Sequence, residues 1–138
     1  MTHLSHNPST ISSPTGAYSH GIEVAPGSRW LYVTGQVGLE ADGTMSTTIE
    51  EQCRLAFWNL GEILASAGMT PDDLVRINAY VIDPRYIEAY AVARDRFLGR
   101  AESGGAVPAS TVLVVSALAD PSMWVEVEAV AAAVAPRP

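Results

Sequence analysis

Two glutamates one residue apart near the end of the chain, Glu126 and Glu128, are the side chains here whose type and spacing suit acid/base chemistry. They sit in the valine- and alanine-rich run 123–133, which has the composition of a β-strand. Side chains alternate across a strand, so Trp124, Glu126 and Glu128 share one face, and Met123, Val125, Val127 and Ala129 share the other. On one face the two carboxyl-bearing residues stand about 7 Å apart. In a cleft or subunit interface, desolvation and the neighbouring negative charge would both raise one carboxyl pKa toward a useful acid/base range. The strand alone more readily gives two solvated glutamates on an exposed sheet face.

Other chemistries are excluded by residue type. All eight cationic residues are arginine, so no lysine is present to form a Schiff base with a carbonyl substrate. The single cysteine, Cys53, has no intrachain disulfide partner, and with three scattered histidines it does not make the spacing of a zinc site. Neither a metal nor a cofactor is expected. A net charge of -7 with dispersed arginines opposes binding to a phosphate backbone, so nucleic acid is not an expected partner. No apolar run approaches the length a bilayer demands, and the polar segment Met1–Ser13 lacks a basic start and apolar stretch. A cytoplasmic location with no membrane partner is the expectation.

The elements that must position these residues follow from periodicity. One domain, residues 16–134, fits the 138-residue length. Residues 1–15, rich in Ser, Thr, Asn and Pro without apolar periodicity, read as a flexible arm. Tyr18–Val24 and Arg29–Leu39 have strand composition and flank Ala25-Pro26-Gly27-Ser28, which predicts a hairpin. Thr48-Ile49-Glu50-Glu51 predicts a capping box opening a helix, whose apolar stripe runs from Ile49 through Cys53, Phe57, Leu60 and Leu64 to a stop at Gly68. Val75–Ile82 alternates as a strand. Asp83-Pro84 then opens a second helix with Ile87, Tyr90, Ala91, Arg94 and Leu98 on one flank and Gly99 at its end. Arg100–Val107 reads as a loop, and Thr111–Leu118 and Met123–Ala133 as the last strands. The order β-β-α-β-α-β-β predicts an α+β fold, a mixed sheet with both helices on one face and an open face that needs a partner.

Four segments in this order, Gly16-Ala17-Tyr18-Ser19, Leu31-Tyr32-Val33-Thr34-Gly35-Gln36, Ile49-Glu50-Glu51-Gln52 and Val125-Glu126-Val127-Glu128-Ala129-Val130-Ala131, resemble the signature of the YjgF/Rid family. The resemblance covers about residues 14–134. It implies a chorismate-mutase-like fold assembled as a homotrimeric barrel, with small-molecule clefts between subunits. In the family's deaminases a glutamate on the last strand holds the water that attacks an imine carbon, releasing ammonia. Glu126 matches that residue, with Tyr18 as a second catalytic candidate. Thr34, Gly35, Ser110, Val112, Trp124 and His20 are the candidates for contact with the substrate.

One departure from the family pattern affects the substrate. The deaminases carry an arginine after Pro-Ala at the start of the penultimate strand, gripping a carboxylate. Here Pro108-Ala109 is followed by Ser110. A hydroxyl cannot replace a bidentate charged contact worth roughly 1.5–3 kcal/mol. Hydrolysis or tautomerisation of an imine or enamine lacking the usual carboxylate is the expectation. Two further alternatives stay open: another arginine, such as Arg54, Arg76 or Arg100, reaches the cleft, or catalysis has been lost and the trimer binds a metabolite or docks a protein. Some relatives are described as ribonucleases, which the acidic charge argues against. Bland roles compete for single residues: packing for Tyr18, solvent exposure for His20, an interface for Trp124, and the core for Cys53.

Overall fold

The computed structural model describes residues 3–99 and 106–134. Helix α1 (Ile49–Ser66) begins as its sequence demands, with the Thr48 side chain accepting from the Glu51 backbone N–H at 3.2 Å. The return bond of a capping box is not made from Glu51, whose carboxylate holds Arg54 instead. Gly68, at φ 67°, ends the helical region just beyond the Ala67 cap. A complete capping box forms later, between Thr70 and Asp73, around the 3-10 turn Pro71–Asp73. Asp83 caps a second 3-10 turn, Pro84–Tyr86, which runs directly into helix α2 (Ile87–Leu98); Gly99, in the left-handed conformation at φ 57°, closes it.

Four strands form the main sheet in the order β3 (Arg29–Gln36), β6 (Val125–Ala133), β4 (Leu74–Val81), β5 (Ala109–Val114). The β4–β5 pair is parallel and the other pairs are antiparallel, so the sheet is mixed. Both helices pack on one face. Ile77, Ala79 and Val81 from β4 and Val125, Val127 and Ala129 from β6 meet Cys53, Ala56, Phe57, Leu60 and Leu64 of α1 and Tyr90 of α2 in a single core. Cys53 belongs to that core and is completely buried. The opposite face is open and exposes Trp30, Tyr32 and Leu113. No helix among the described residues is long and apolar enough to cross a membrane.

Three expectations change. The segment read as an arm contains a strand, β1 (Leu4–His6), which pairs antiparallel with β2 (Gly21–Glu23) in a separate two-stranded sheet. The predicted hairpin between residues 18–24 and 29–39 therefore does not form: β3 lies at the sheet edge against β6. Polar contacts fasten this region. His3 bridges the Ala25 N–H and the Ala132 carbonyl, the His20 N–H donates to Asn7 Oδ1 at 2.8 Å, and His6 meets Glu23 at 2.8 Å. Such anchoring has no hydrophobic period, which is why pattern reading passes over it. Last, β5 and β6 are shorter than predicted, at residues 109–114 and 125–133. Arg100 and most of the loop predicted from it lie outside the described residues.

Candidate active site

Glu126 and Glu128 share a sheet face as alternation requires, since their partners on β4, Tyr80 and Asn78, both stand on the open side. Their surroundings differ. Glu128 is engaged: the Tyr80 hydroxyl donates to its Oε1 at 2.6 Å and the Asn78 amide approaches at 3.4 Å. That bond, followed by burial and the charges of Glu128 and Glu126, holds the Tyr80 hydroxyl above its ordinary pKa, with Arg76 opposing. Arg76 in turn donates to Asn78 and Thr111, each at 2.8 Å, so a polar row crosses β6, β4 and β5 on the open face. Among the described residues, none donates a hydrogen bond to the Glu126 carboxylate.

The Glu126 side chain lies instead on the backbone of Gly35. A methyl group built on Gly35 would fall 2.6 Å from the Glu126 carboxyl carbon and 2.8 Å from its Cγ, well inside van der Waals contact. Only glycine leaves that ledge bare. A β-bulge makes the ledge: Val33 pairs with Ala129 and Gln36 with Val127, so Thr34 and Gly35 together oppose a single residue of β6. Bulges re-aim side chains in this way. Thr34 is exposed beside it, with its carbonyl accepting from the Gln36 amide at 3.1 Å.

A second glycine ledge fixes where β6 begins. Gly38 lies against buried Gln52, with an added methyl group reaching within 2.7 Å of its Cβ. The Gln52 amide donates to the Ser46 and Ser122 carbonyls, both at 2.9 Å, and accepts from the Trp124 N–H at 2.9 Å. Trp124 immediately precedes β6, and its ring stacks on Tyr86 with centroids 5.9 Å apart.

The remaining candidates gather at the other edge of the sheet. Ser19 N–H donates to the Pro108 carbonyl at 3.2 Å, which lays the Tyr18 segment beside the start of β5. The Tyr18 hydroxyl accepts from the Thr15 N–H at 3.2 Å, with the Thr15 hydroxyl at 3.4 Å; these bonds lower its pKa. His20 meets the Tyr18 ring edge-on at 5.7 Å and joins the Ser12 carbonyl at 2.7 Å. Ser110 and Val112 register with Ile77 and Ala79, so both point to the helix side, where Val112 packs on the core. Glu126 thus faces the open side near β3, and Ser110 faces the helix side at the far edge, two strand spacings or about 10 Å away. One chain does not bring Glu126 and Ser110 onto one ligand.

Of the three arginines named as substitutes, Arg54 pairs with Glu51 on the outside of α1, Arg76 is committed to Asn78 and Thr111, and Arg100 is outside the described residues. Arg94 was not among them. It extends the buried stripe of α2, one turn beyond Tyr90, and its side chain is only 12% exposed. A cation in core-facing register on the α2 flank is the sequence signal that marks it. A hollow of about 860 Å³ between α1 and α2 is lined by Arg54, Trp58, Glu62, Val92 and Arg96, among others, and contains neither Glu126 nor Tyr18. No cluster of three metal-ligating side chains occurs among the described residues.

The family model described as Endoribonuclease L-PSP matches residues 9–133. The chain belongs to this YjgF/Rid/RutC family. Its similarity extends to the 2-iminobutanoate/2-iminopropanoate deaminase of Mus musculus, 30% identical over 127 residues that make up 89% of this chain and 87% of the mouse protein. RutC family protein YjgH of Escherichia coli (strain K12) is 46% identical over 54 residues, 39% of this chain. That match spans 41% of YjgH, and a match to an Aquifex aeolicus RutC family protein spans 66% of it. The crystal structure of the Rid protein YyfB from Yersinia pestis superposes with a TM-score of 0.80 at 31% identity, covering 95% of this chain and 98% of that one. The mixed sheet with two helices on one face is thus the Rid fold.

Proposed function

We propose that this Rid-family chain hydrolyses a small imine or enamine-derived imine, with Glu126 as the acid/base group in a cleft completed by a neighbouring copy. The carrying observation is the difference between the two glutamates: Glu128 is held by Tyr80, whereas the Glu126 carboxylate rests on bare Gly35 backbone with no donor among the described residues. A carboxylate so placed is free to take a proton from water as the oxygen attacks the imine carbon. The π electrons pass to nitrogen, the proton follows, and collapse of the carbinolamine expels ammonia and leaves a carbonyl compound. Thr34, beside Glu126 on the bulge, would orient the ligand.

The similarity to the mouse deaminase supports this chemistry at modest identity. The placement of Glu126 and Ser110 on opposite faces supports a cleft between copies, as does the exposed Trp30, Tyr32 and Leu113 surface of the open face. A homotrimer satisfies both. Tyr18 and Ser110 would line the cleft from one copy and Glu126 from the next. On β5 the wall is neutral, which by itself favours a substrate without a carboxylate at that point. Cleavage of RNA, suggested by the family's description, is disfavoured by a net charge of -7.

The test is ammonia release from freshly generated 2-iminopropanoate, 2-iminobutanoate and uncharged imines. Wild type is expected to accelerate release and Glu126→Gln to abolish the acceleration. Equal rates from the two proteins would sink the assignment of Glu126, and ligand-dependent melting without any product would favour a binding module.

A further inference from the structure

Arg94 is a charged side chain where helix α2 presents its buried stripe, between Tyr90 and Leu98. Arginine is rarely buried without pairing. Its ion partner is the adjacent Asp95, itself 55% exposed, whose single oxygen Oδ1 takes both Nε and Nη2 at 2.9 Å. The guanidinium lies over the Tyr90 ring, 5.6 Å from its centroid. On its other side, Nη2 stands 3.9 Å from where a methyl group on Gly16 would sit, beside the Tyr18 ring at 3.8 Å. The Tyr90 hydroxyl is buried, with Ser110 and Arg94 beside it.

These groups bring one cation and two neutral hydroxyls together, the donor chemistry that an anion requires. A poorly hydrated guanidinium attracts a carboxylate more strongly than an exposed one, because water no longer competes. The Tyr90 and Ser110 hydroxyls are neutral donors at its side. Asp95 contacts Nε and Nη2 and leaves Nη1 uncommitted to it.

We propose that Arg94, reaching from α2 between Tyr90 and the Gly16–Tyr18 segment, binds the carboxylate of a small 2-imino or 2-oxo acid, a task that neutral Ser110 on β5 cannot perform. The inference rests on Tyr18 and Ser110 lining the substrate cleft, and it revises the expectation of a substrate without a carboxylate. Arg94 thereby determines specificity, separately from the acid/base work of Glu126.

The experiment is an NMR titration of the full chain with 2-oxobutanoate, and with butanone as the probe that lacks the carboxylate. Wild type should bind 2-oxobutanoate saturably and butanone far more weakly. Arg94→Gln should weaken 2-oxobutanoate binding about tenfold or more, the loss of one charged contact, and leave butanone unchanged. Arg94→Lys should recover part of the loss. Gly16→Asp, on an exposed loop, places a tethered competitor beside Nη2 and should weaken binding similarly without touching the core, so the test survives if Arg94→Gln fails to fold.

Unchanged affinity in Arg94→Gln or in Gly16→Asp overturns the proposal, as does a wild type that binds no 2-oxobutanoate. Ammonia release separates it from the hydrolytic function. Arg94-dependent binding without turnover would leave Arg94 standing and remove the hydrolysis. Turnover of 2-iminobutanoate with KM unaltered by Arg94→Gln would do the reverse; the expected pattern is a raised KM with kcat nearly constant.

Discussion

The carboxylate of Glu126 occupies the space that a side chain on Gly35 would fill. The two residues are therefore one unit: the bulge supplies a bare ledge and β6 lays its acid on it. Gly35→Ala should push the carboxylate off this position and lower imine turnover by roughly 100-fold, the scale of a misplacement of about 1 Å. In a Glu126→Gln background the same substitution should cost no further activity, because its effect passes through the carboxylate. Steady-state ammonia release from the four proteins of that cycle checks this, and additive losses would contradict it.

Glu128 has the opposite expectation. Its bond to Tyr80 is the leading cause of the raised Tyr80 pKa, so Glu128→Gln should lower the Tyr80 titration toward that of an ordinary tyrosine. A spectrophotometric tyrosinate titration reads this directly. Turnover should fall far less than in Glu126→Gln, and a comparable loss would mean that the two carboxylates act together.

Burial, aided by the Glu50 charge, pushes the Cys53 thiol up to about 12. The folded thiol thus keeps its proton at a pH where the unfolded thiol, near ~8.5, has released it. A group whose pKa is raised by folding contributes stability in full below the unfolded value and loses it as pH climbs toward the folded one. Stability should accordingly fall from about pH 9 to about 12, less steeply in Cys53→Val, as denaturant titrations at stepped pH would report. At neutral pH a thiol reagent should label Cys53 only as fast as the protein opens. Rapid labelling of the native protein would show the core to be looser than its packing implies.

Tyr32, 76% exposed and stacked on Trp30 at 6.4 Å, tests the assembly. If copies meet through the open face, Tyr32→Arg should bring charges of one sign together and release a 14.6 kDa chain from a particle three times that mass. Sedimentation equilibrium measures both. A wild type that sediments as a single chain would remove the inter-copy cleft.

Much of the fold was legible because α1, α2, β4 and β6 carry their period openly. Thr48 and Gly68 mark α1, Gly99 marks the end of α2, and the Ile77-Ala79-Val81 and Val125-Val127-Ala129 rows mark the strands. The β1–β2 pairing was not legible, since His3, His6, Asn7 and Glu23 hold it through polar contacts without periodicity. At the candidate site, Glu126 and Gly35 were both marked, but their contact was hidden: it depends on a two-against-one register that sequence spacing does not state. The stacking of Trp124 on Tyr86 was hidden too, because it joins the start of β6 to a turn distant in sequence. Arg94 was visible on the α2 flank, yet its approach to Gly16 and Tyr18 required the fold.

The bulge at Thr34 and Gly35 has a consequence for how this scaffold can change. Because two residues stand against one, Val33 and Gln36 both register with core-facing positions of β6, and the core does not feel the extra residue. Removing one residue here would restore an uninterrupted ladder and erase the ledge while leaving the packed layers their partners. On the proposed role of Glu126, deleting one bulge residue should remove the acid's seat and leave the fold intact, so that a lineage could shed such chemistry in one step without rebuilding the core.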